Sequence, residues 1–335
     1  MSRVFAVAFG LAAIMGLASF QNPELSRTGF RYSAQDAPLN RRPSPANQDR
    51  SGQIRVEVLE VNVLVTVLDK QGRFVTDLTR DRFSIEEDKV PQEITNFARE
   101  TSLPLTVALM IDTSGSVRLK LDFEKMAASG FLNQIIRPED QAMLVEFDTG
   151  ATLLHDFTNR PSALIEQLRG LRAGGGTALF DALYRVASEK LTGATPRRVI
   201  VIVSDGADLH SKRKLEEAVE MVQRSESTVY AVGTNKFGAS SEAGGEKVLR
   251  TLTEQTGGTL FLPYSEVQFE EAFDKINEEL RSQYSLTYVP TNKQKDSKFR
   301  QIRVKIKDDK GLTVRYKKGY FPPADEKGQA TPNSK

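Results

Sequence analysis

The chain has no cysteine in its 335 residues, which excludes disulfides, thiolate zinc sites, cysteine nucleophiles and the lipid-anchored cysteine of a lipoprotein. Histidine is nearly as scarce. Only His155 and His210 could supply imidazole, so a Ser/His/Asp triad would have to be built on one of those two. An excess of one charge is also missing. Lys and Arg number 46 and Asp and Glu 44, a net +2 that becomes +1 once Arg3 leaves with the leader described below. No global field therefore steers the protein to nucleic acid or membrane. The amino-terminal apolar run, residues 4–17, is shorter than the ~20 residues that span a bilayer. What remains is a composition ordinary for a globular protein, 39% hydrophobic and 27% charged, with enough chain for one large or two modest domains.

Arg3, the apolar run after it and the small residues around Gly16-Leu17-Ala18 form an export signal over residues 1–18. The expected locale is therefore exported, periplasmic or secreted, with no stable membrane span after cleavage. Residues 19–51, with Pro23, Pro38, Pro43 and Pro45 and no apolar periodicity, read as a disordered linker. From Gln53 the pattern becomes alternation at Ile54, Val56, Val58, Val61, Val63, Val65 and Val67, the period of a half-buried strand. Turn signals and shorter alternating runs around Phe83, Ile85 and residues 92–97 make 52–103 an amino-terminal β segment.

Pro104 opens a different regime. Apolar runs at 105–111, 142–147, 152–154, 199–204, 228–233 and 259–262 alternate with helical patterns near 118–136, 161–171, 178–191, 212–225, 246–256 and 266–283. That alternation predicts an α/β body over 104–283, a doubly wound, mostly parallel six-stranded sheet covered on both faces. In the last helix Phe269, Phe273, Ile276 and Leu280 recur as one stripe, which reads as core packing. Residues 284–322 return to period two, with Asp308 to Gly311 marking a hairpin turn. Neither β segment is large enough for a core of its own. The expectation is one discontinuous all-β module in which 284–322 packs with 52–103, and a disordered tail over 323–335.

Three loops carry chemistry. The run LTVALMI ends at Asp112 and continues Thr113-Ser114-Gly115-Ser116; Gly174-Gly175-Gly176-Thr177 precedes a helix; Ser204-Asp205-Gly206 follows the apolar run 199–203. Successive parallel strands place their carboxyl ends on one edge, where open α/β sheets bind ligands. Asp112, Ser114, Ser116, Thr177 and Asp205 offer two carboxylates and three hydroxyls, oxygen donors of the kind Mg2+, Mn2+ or Ca2+ prefer. Taken singly, Ser114 and Ser116 could cap a helix, Thr177 could be an N-cap and Asp205 a turn residue. Asp148 reads as a turn residue near the same edge, and residues 233–246 could rim it. His155 and His210 read as surface or packing residues, and Lys212-Arg213-Lys214 as a solvated face.

Together these elements resemble the von Willebrand factor A domain with its metal-ion-dependent adhesion site. The DxSxS loop, the glycine-preceded threonine and the DG aspartate stand in the family's order. The whole chain, including the GYF near Tyr320, is similar to exported bacterial proteins of the von Willebrand factor A-related group frequent in Acidobacteria. The resemblance implies a divalent metal held by Asp112, Ser114, Ser116, Thr177 and Asp205, which takes an Asp or Glu carboxylate of a protein partner. In switching members the last helix gates affinity. A structural envelope protein with a stabilising metal is the alternative, and a metal-dependent hydrolase a weaker one. Haloacid dehalogenase phosphatases need an aspartate two residues after the first, where Ser114 stands, and no general base accompanies the oxygen cluster. The expectation is a binding module without catalytic residues.

Overall fold

The computed structural model describes residues 31–32, 59–99, 103–194, 197–234, 243–308 and 311–323. The expected export signal, most of the linker, the alternation at Ile54, Val56 and Val58, and the tail from 324 lie outside the described residues. In chain order the elements are β1 (Arg31–Tyr32), β2 (Val61–Leu68), β3 (Phe83–Glu87), β4 (Val90–Gln92), β5 (Ile94–Arg99) and β6 (Thr106–Asp112). The α/β body continues with α1 (Leu121–Ile135), β7 (Gln141–Phe147), β8 (Ala151–Thr158), α2 (Pro161–Gly170) and α3 (Leu179–Arg185). Then come β9 (Arg198–Ser204), α4 (Leu215–Arg224), β10 (Ser227–Gly233), α5 (Ala243–Thr256), β11 (Leu260–Phe261) and α6 (Glu266–Leu280). The chain closes with β12 (Tyr284–Tyr288), β13 (Arg300–Ile306), β14 (Thr313–Tyr316) and β15 (Gly319–Tyr320).

The large sheet has the order β1-β8-β7-β6-β9-β10-β11. β6 is central, and β7, β9, β10 and β11 run parallel through it, while β8 is antiparallel to β7. The doubly wound, mostly parallel sheet expected from the alternation is therefore present. Arg31–Tyr32 adds a seventh strand parallel to β8, in a stretch read from sequence as unstructured. Two residues are too few to show a periodicity.

All seven residues of β6 are buried, and their alternation divides the body into two cores. Val107, Leu109 and Ile111 pack with α1, α2 and α6; Ala108 and Met110 face the layer of α3, α4 and α5. The stripe Phe269, Phe273, Ile276 and Leu280 of α6 is buried against α1, with Phe131 and Phe273 stacked at 4.8 Å between ring centroids. Burying each of these phenylalanines contributes about 1.5–3 kcal/mol, so α6 is firmly seated.

The β segments form two four-stranded antiparallel sheets, β14-β2-β12-β5 and β15-β13-β3-β4. Their inward residues, among them Val63, Val65, Ile85, Leu286 and Val304, make a third core. β12 lies between β2 and β5, so strands from both ends of the chain share one ladder. The hairpin expected at Asp308 to Gly311 is corrected: β13 pairs with β3 and β15, whereas β14 pairs with β2. The chain crosses there from one sheet to the other. Period-two alternation could not separate the two cases, because both strands turn apolar residues toward the same core.

A buried carboxylate links the modules. Glu279 of α6, 1% exposed, accepts from Thr66 of β2 at 3.1 Å and from Tyr230 of β10 at 3.3 Å. Its other oxygen accepts from Thr259 and from Arg315 of β14, both at 3.0 Å. Burial pushes the Glu279 carboxyl up, while Arg315 and the hydroxyls pull it down. No helix among the described residues is long and apolar enough to cross a membrane.

Candidate metal centre

The site is assembled where β6 and β9 end side by side. Asp112 is the last residue of β6 and is fully buried. Its Oδ1 accepts the Ser114 N–H at 2.9 Å, and its Oδ2 accepts the Ser204 hydroxyl at 2.6 Å. Ser204 ends β9 and also receives the Gly206 N–H at 2.9 Å, so it braces the first loop and shapes the third. Burial pushes the Asp112 carboxyl up to about 6, with neighbouring Asp205 adding to the rise and the Ser204 and Ser114 bonds opposing it.

From this buried floor the donors climb toward solvent. The Ser114 and Ser116 hydroxyls lie 3.0 Å apart, and the Ser116 hydroxyl donates to Asp205 Oδ2 at 2.7 Å. Ser114 is buried, Ser116 is exposed and Asp205 is half-buried. Asp205 Oδ1 is fixed by the Ala207 N–H at 3.0 Å. Asp112, Ser114, Ser116 and Asp205 are thus one hydrogen-bonded chain running from the sheet to the surface.

The second loop is tied to the first through backbone. Gly174 N–H donates to Thr113 O at 2.7 Å, and Gly115 N–H donates to Gly175 O at 3.2 Å. Gly175 has φ +79°, and a Cβ there would come within 3.0 Å of Asp148 Oδ2, so glycine fits both the conformation and the space. Thr177 is buried in this loop. Its N–H donates to His210 Nδ1 at 3.2 Å, and its carbonyl accepts from Leu209 and His210. Among the described residues no hydrogen bond joins Thr177 to the other four; its backbone bonds run to Leu209 and His210, and its place in the loop alone sets it near them. Asp148 caps its own turn, accepting the Gly150 N–H at 3.1 Å. His155 Nδ1 lies 2.6 Å from Asp156 O, outside the oxygen cluster. Of residues 233–246, those at 235–242 lie outside the described residues; Gly245 sits where a Cβ would come within 2.2 Å of Asp205 O, so α5 presses on the third loop.

Two carboxylates at the end of a hydroxyl chain suit a hard divalent cation. They bring negative charge together with only neutral hydroxyls between them, and Asp112 in particular is held out of water. Among the described residues no group of three or more His, Cys, Asp or Glu forms a metal cluster, so the donor set relies on serine and threonine. The residues therefore fit an oxygen-coordinated ion and not a zinc site built on imidazole or thiolate.

Ser204, His210 and Lys120 belong to the site as supports that sequence reasoning missed. Ser204 reads as a strand end and His210 as a surface residue. Lys120 Nζ donates to Thr234 O at 2.6 Å, a contact across 114 residues for which the sequence gives no signal. The buried carboxyl of Glu124 in α1 does leave a trace in the sequence. It interrupts the buried stripe Leu121, Ala128, Phe131 and Ile135 of α1, where the helical period asks for an apolar residue.

Residues 107–207 match the family model described as von Willebrand factor type A domain, a segment that runs from β6 past Asp205 and takes in all three loops. With the sheet order above, the body is a von Willebrand factor A-like α/β fold. No curated protein matches the chain significantly. Among solved structures, a von Willebrand factor type A protein from Catenulispora acidiphila is similar at 15% identity over 73% of this chain and 75% of that one, TM-score 0.46. The von Willebrand factor domain of a type V pili tip protein from Porphyromonas gingivalis is similar at 14% identity over 52% of this chain and 94% of that one, TM-score 0.46. Proximal thread matrix protein 1 from the mussel byssus, a structure with a zinc-occupied MIDAS motif, is similar at 15% identity over 59% of this chain and 50% of that one, TM-score 0.47.

Proposed function

We propose that this chain is an exported binding module that captures a protein partner through a divalent ion, Mg2+ in the first instance, held by Asp112, Ser114, Ser116, Thr177 and Asp205. Domains of the matched type are adhesion and protein-interaction modules. The observation that carries the reading is the 2.7 Å bond from Ser116 to Asp205, which draws the first and third loops together at an exposed edge. Asp112 and Asp205 supply charge; the hydroxyls supply neutral donors; the solvent-facing side is left to the partner. When bound, the ion supplies an electrophilic centre for a carboxylate oxygen. The chain's own residues orient the donors and keep Asp112 dry.

The surroundings suit capture better than catalysis. Leu119 and Leu209, 97% and 77% exposed, stand three residues after Ser116 and four after Asp205, and would add apolar contact around a bridging carboxylate. The His210 ring nitrogen that could serve as a base is engaged with the Thr177 N–H. The alternative role, a metal that only rigidifies the loops, is disfavoured by the backbone bonds that already join them, Gly174 to Thr113 and Gly115 to Gly175.

Export rests on the amino-terminal leader, and amino-terminal sequencing of mature protein tests it; a start at Met1 or Ser2 contradicts cleavage. Pull-down from envelope extract tests the binding role. A partner retained with Mg2+ and lost with EDTA and in Asp112→Ala is the expected result; retention under all three conditions overturns it.

A further inference from the structure

His210 is one of two histidines in the chain, and its ring lies against the loop that carries Thr177. The Thr177 N–H donates to His210 Nδ1 at 3.2 Å, while the Thr177 carbonyl accepts the Leu209 and His210 N–H groups, both at 2.9 Å. One residue earlier, a Cβ at Gly176 would overlap the imidazole, Nδ1 and Nε2 included. The ring therefore packs against a glycine next to a proposed cation donor. That glycine's loop is bonded in turn to the DxSxS loop, through Gly115 and Gly175.

The chain on either side of His210 is held as firmly as its ring. α3 starts at Ala178 without a side-chain cap of its own, and Asp208 supplies one from the third loop. Its Oδ2 accepts the Phe180 N–H at 2.8 Å and the Ser211 hydroxyl at 2.7 Å, and its Oδ1 accepts the Ser211 N–H at 3.1 Å. The Ser211 hydroxyl oxygen accepts the Asp181 N–H at 3.0 Å. His210 thus stands between two anchors on the start of α3. It is nevertheless exposed, as is Leu209 beside it.

These contacts fix the tautomer. A backbone N–H can only donate, so Nδ1 is the accepting nitrogen, and the proton of the neutral imidazole is on Nε2. The site consequently presents an N–H donor beside Thr177. A carboxylate that gives one oxygen to a metal keeps a second oxygen with lone pairs to satisfy. A neutral donor held at the metal edge meets that need without adding a charge that would oppose the cation.

We propose that His210 is a specificity-determining residue of the cation site, whose Nε2–H donates to the second oxygen of the partner's Asp or Glu carboxylate. It is not a metal ligand. This rests on the proposed metal reading of Asp112 and Asp205 and adds a recognition atom outside the DxSxS, threonine and DG elements. A hydrogen bond to an ionised group is among the stronger ones, and its loss should weaken carboxylate capture by about tenfold.

The test is nuclear magnetic resonance of isotope-labelled full-length protein, chelator-treated and then loaded with Mg2+, with sodium acetate as the carboxylate probe. Nitrogen–proton correlation spectra of the imidazoles read both tautomer and contact, and His155→Gln assigns the two rings. The expected result is a His210 proton on Nε2, an Nε2 signal that acetate shifts only when Mg2+ is present, and a His155 signal that acetate leaves in place. In His210→Asn the side-chain oxygen can still accept the Thr177 N–H, so this variant should keep Mg2+ binding and take acetate about tenfold more weakly. A His210 proton on Nδ1, an acetate response that is absent or independent of Mg2+, or unchanged acetate affinity in His210→Asn overturns the inference while leaving the metal reading intact. So does loss of Mg2+ itself in His210→Asn, which marks a support for Thr177 and not a contact with the partner. Absence of Mg2+ binding by wild type overturns the metal reading, and this inference with it.

Discussion

Glu124 and Glu279 occupy matching places in the packing and opposite chemical circumstances. Each sits in the buried stripe of a helix, α1 or α6, at 0% and 1% exposure. Glu279 is met by Thr66, Tyr230, Thr259 and Arg315, drawn from three strands and a loop of both modules. Among the described residues Glu124 is met by no donor. A carboxylate removed from water needs compensation. Where the fold supplies it, the residue is a joint between modules; where the fold withholds it, local stability is given up.

The contrast is broken most forcefully from the Glu279 side. Glu279→Ala leaves Arg315 facing a buried gap and strips three hydroxyls of their acceptor, and the expected loss is about 3–5 kcal/mol in chemical denaturation. A loss below about 1 kcal/mol would show that the modules do not depend on this joint. The consequence reaches α6, because the residues after it enter β12, which is flanked by β2 and β5 of the third core. Any movement of α6 would have to disturb the Glu279 contacts.

Acidity sharpens the contrast next. Asp112 and Glu124 are raised, from 3.8 to about 6 and from 4.5 to about 8, chiefly by burial. The folded protein therefore holds these protons more tightly than the unfolded chain. Their favourable effect is complete below the unfolded values, near pH 4, and fades as pH climbs through the folded ones. Metal-free protein should lose stability between about pH 5 and 8, by up to about 1.4 kcal/mol per pH unit for each titrating group. Denaturation series at stepped pH measure the slope, and Glu124→Gln should flatten its upper half. A wild-type profile level across that range would contradict the assignment.

Ser204→Ala removes the hydroxyl that holds Asp112 Oδ2 and should cost about 1–3 kcal/mol. A cost near zero would mean that the brace between β9 and Asp112 is dispensable. The smallest effect belongs to Leu119→Ala and Leu209→Ala. Both side chains are exposed, so stability should change by less than about 0.5 kcal/mol, while retention of partner in the Mg2+ pull-down should fall. Undiminished retention would take these leucines out of the docking face.

Legibility in the sequence follows from how much neighbouring chain carries each signal. The sheet was readable because β6, β9 and β10 are unbroken apolar runs buried on both faces, and the stripe of α6 because four residues recur at the helical period. The donors at Asp112, Ser114, Ser116, Thr177 and Asp205 could be named because loop position, glycine and oxygen-bearing side chains coincide three times. Lys120 and Ser204 could not, since each acts through a contact whose partner lies far along the chain. The crossing near Asp308 failed for a related reason: alternation records which residues face a core and is silent on which sheet they belong to. Arg31–Tyr32 was too short to read at all.

Titration of Mg2+ into chelator-treated wild type and Asp112→Ala tests most directly whether these loops hold a cation. One saturable event in wild type that is abolished in Asp112→Ala is the predicted result. No heat from wild type, or equal heat from both proteins, would contradict the site at the end of β6.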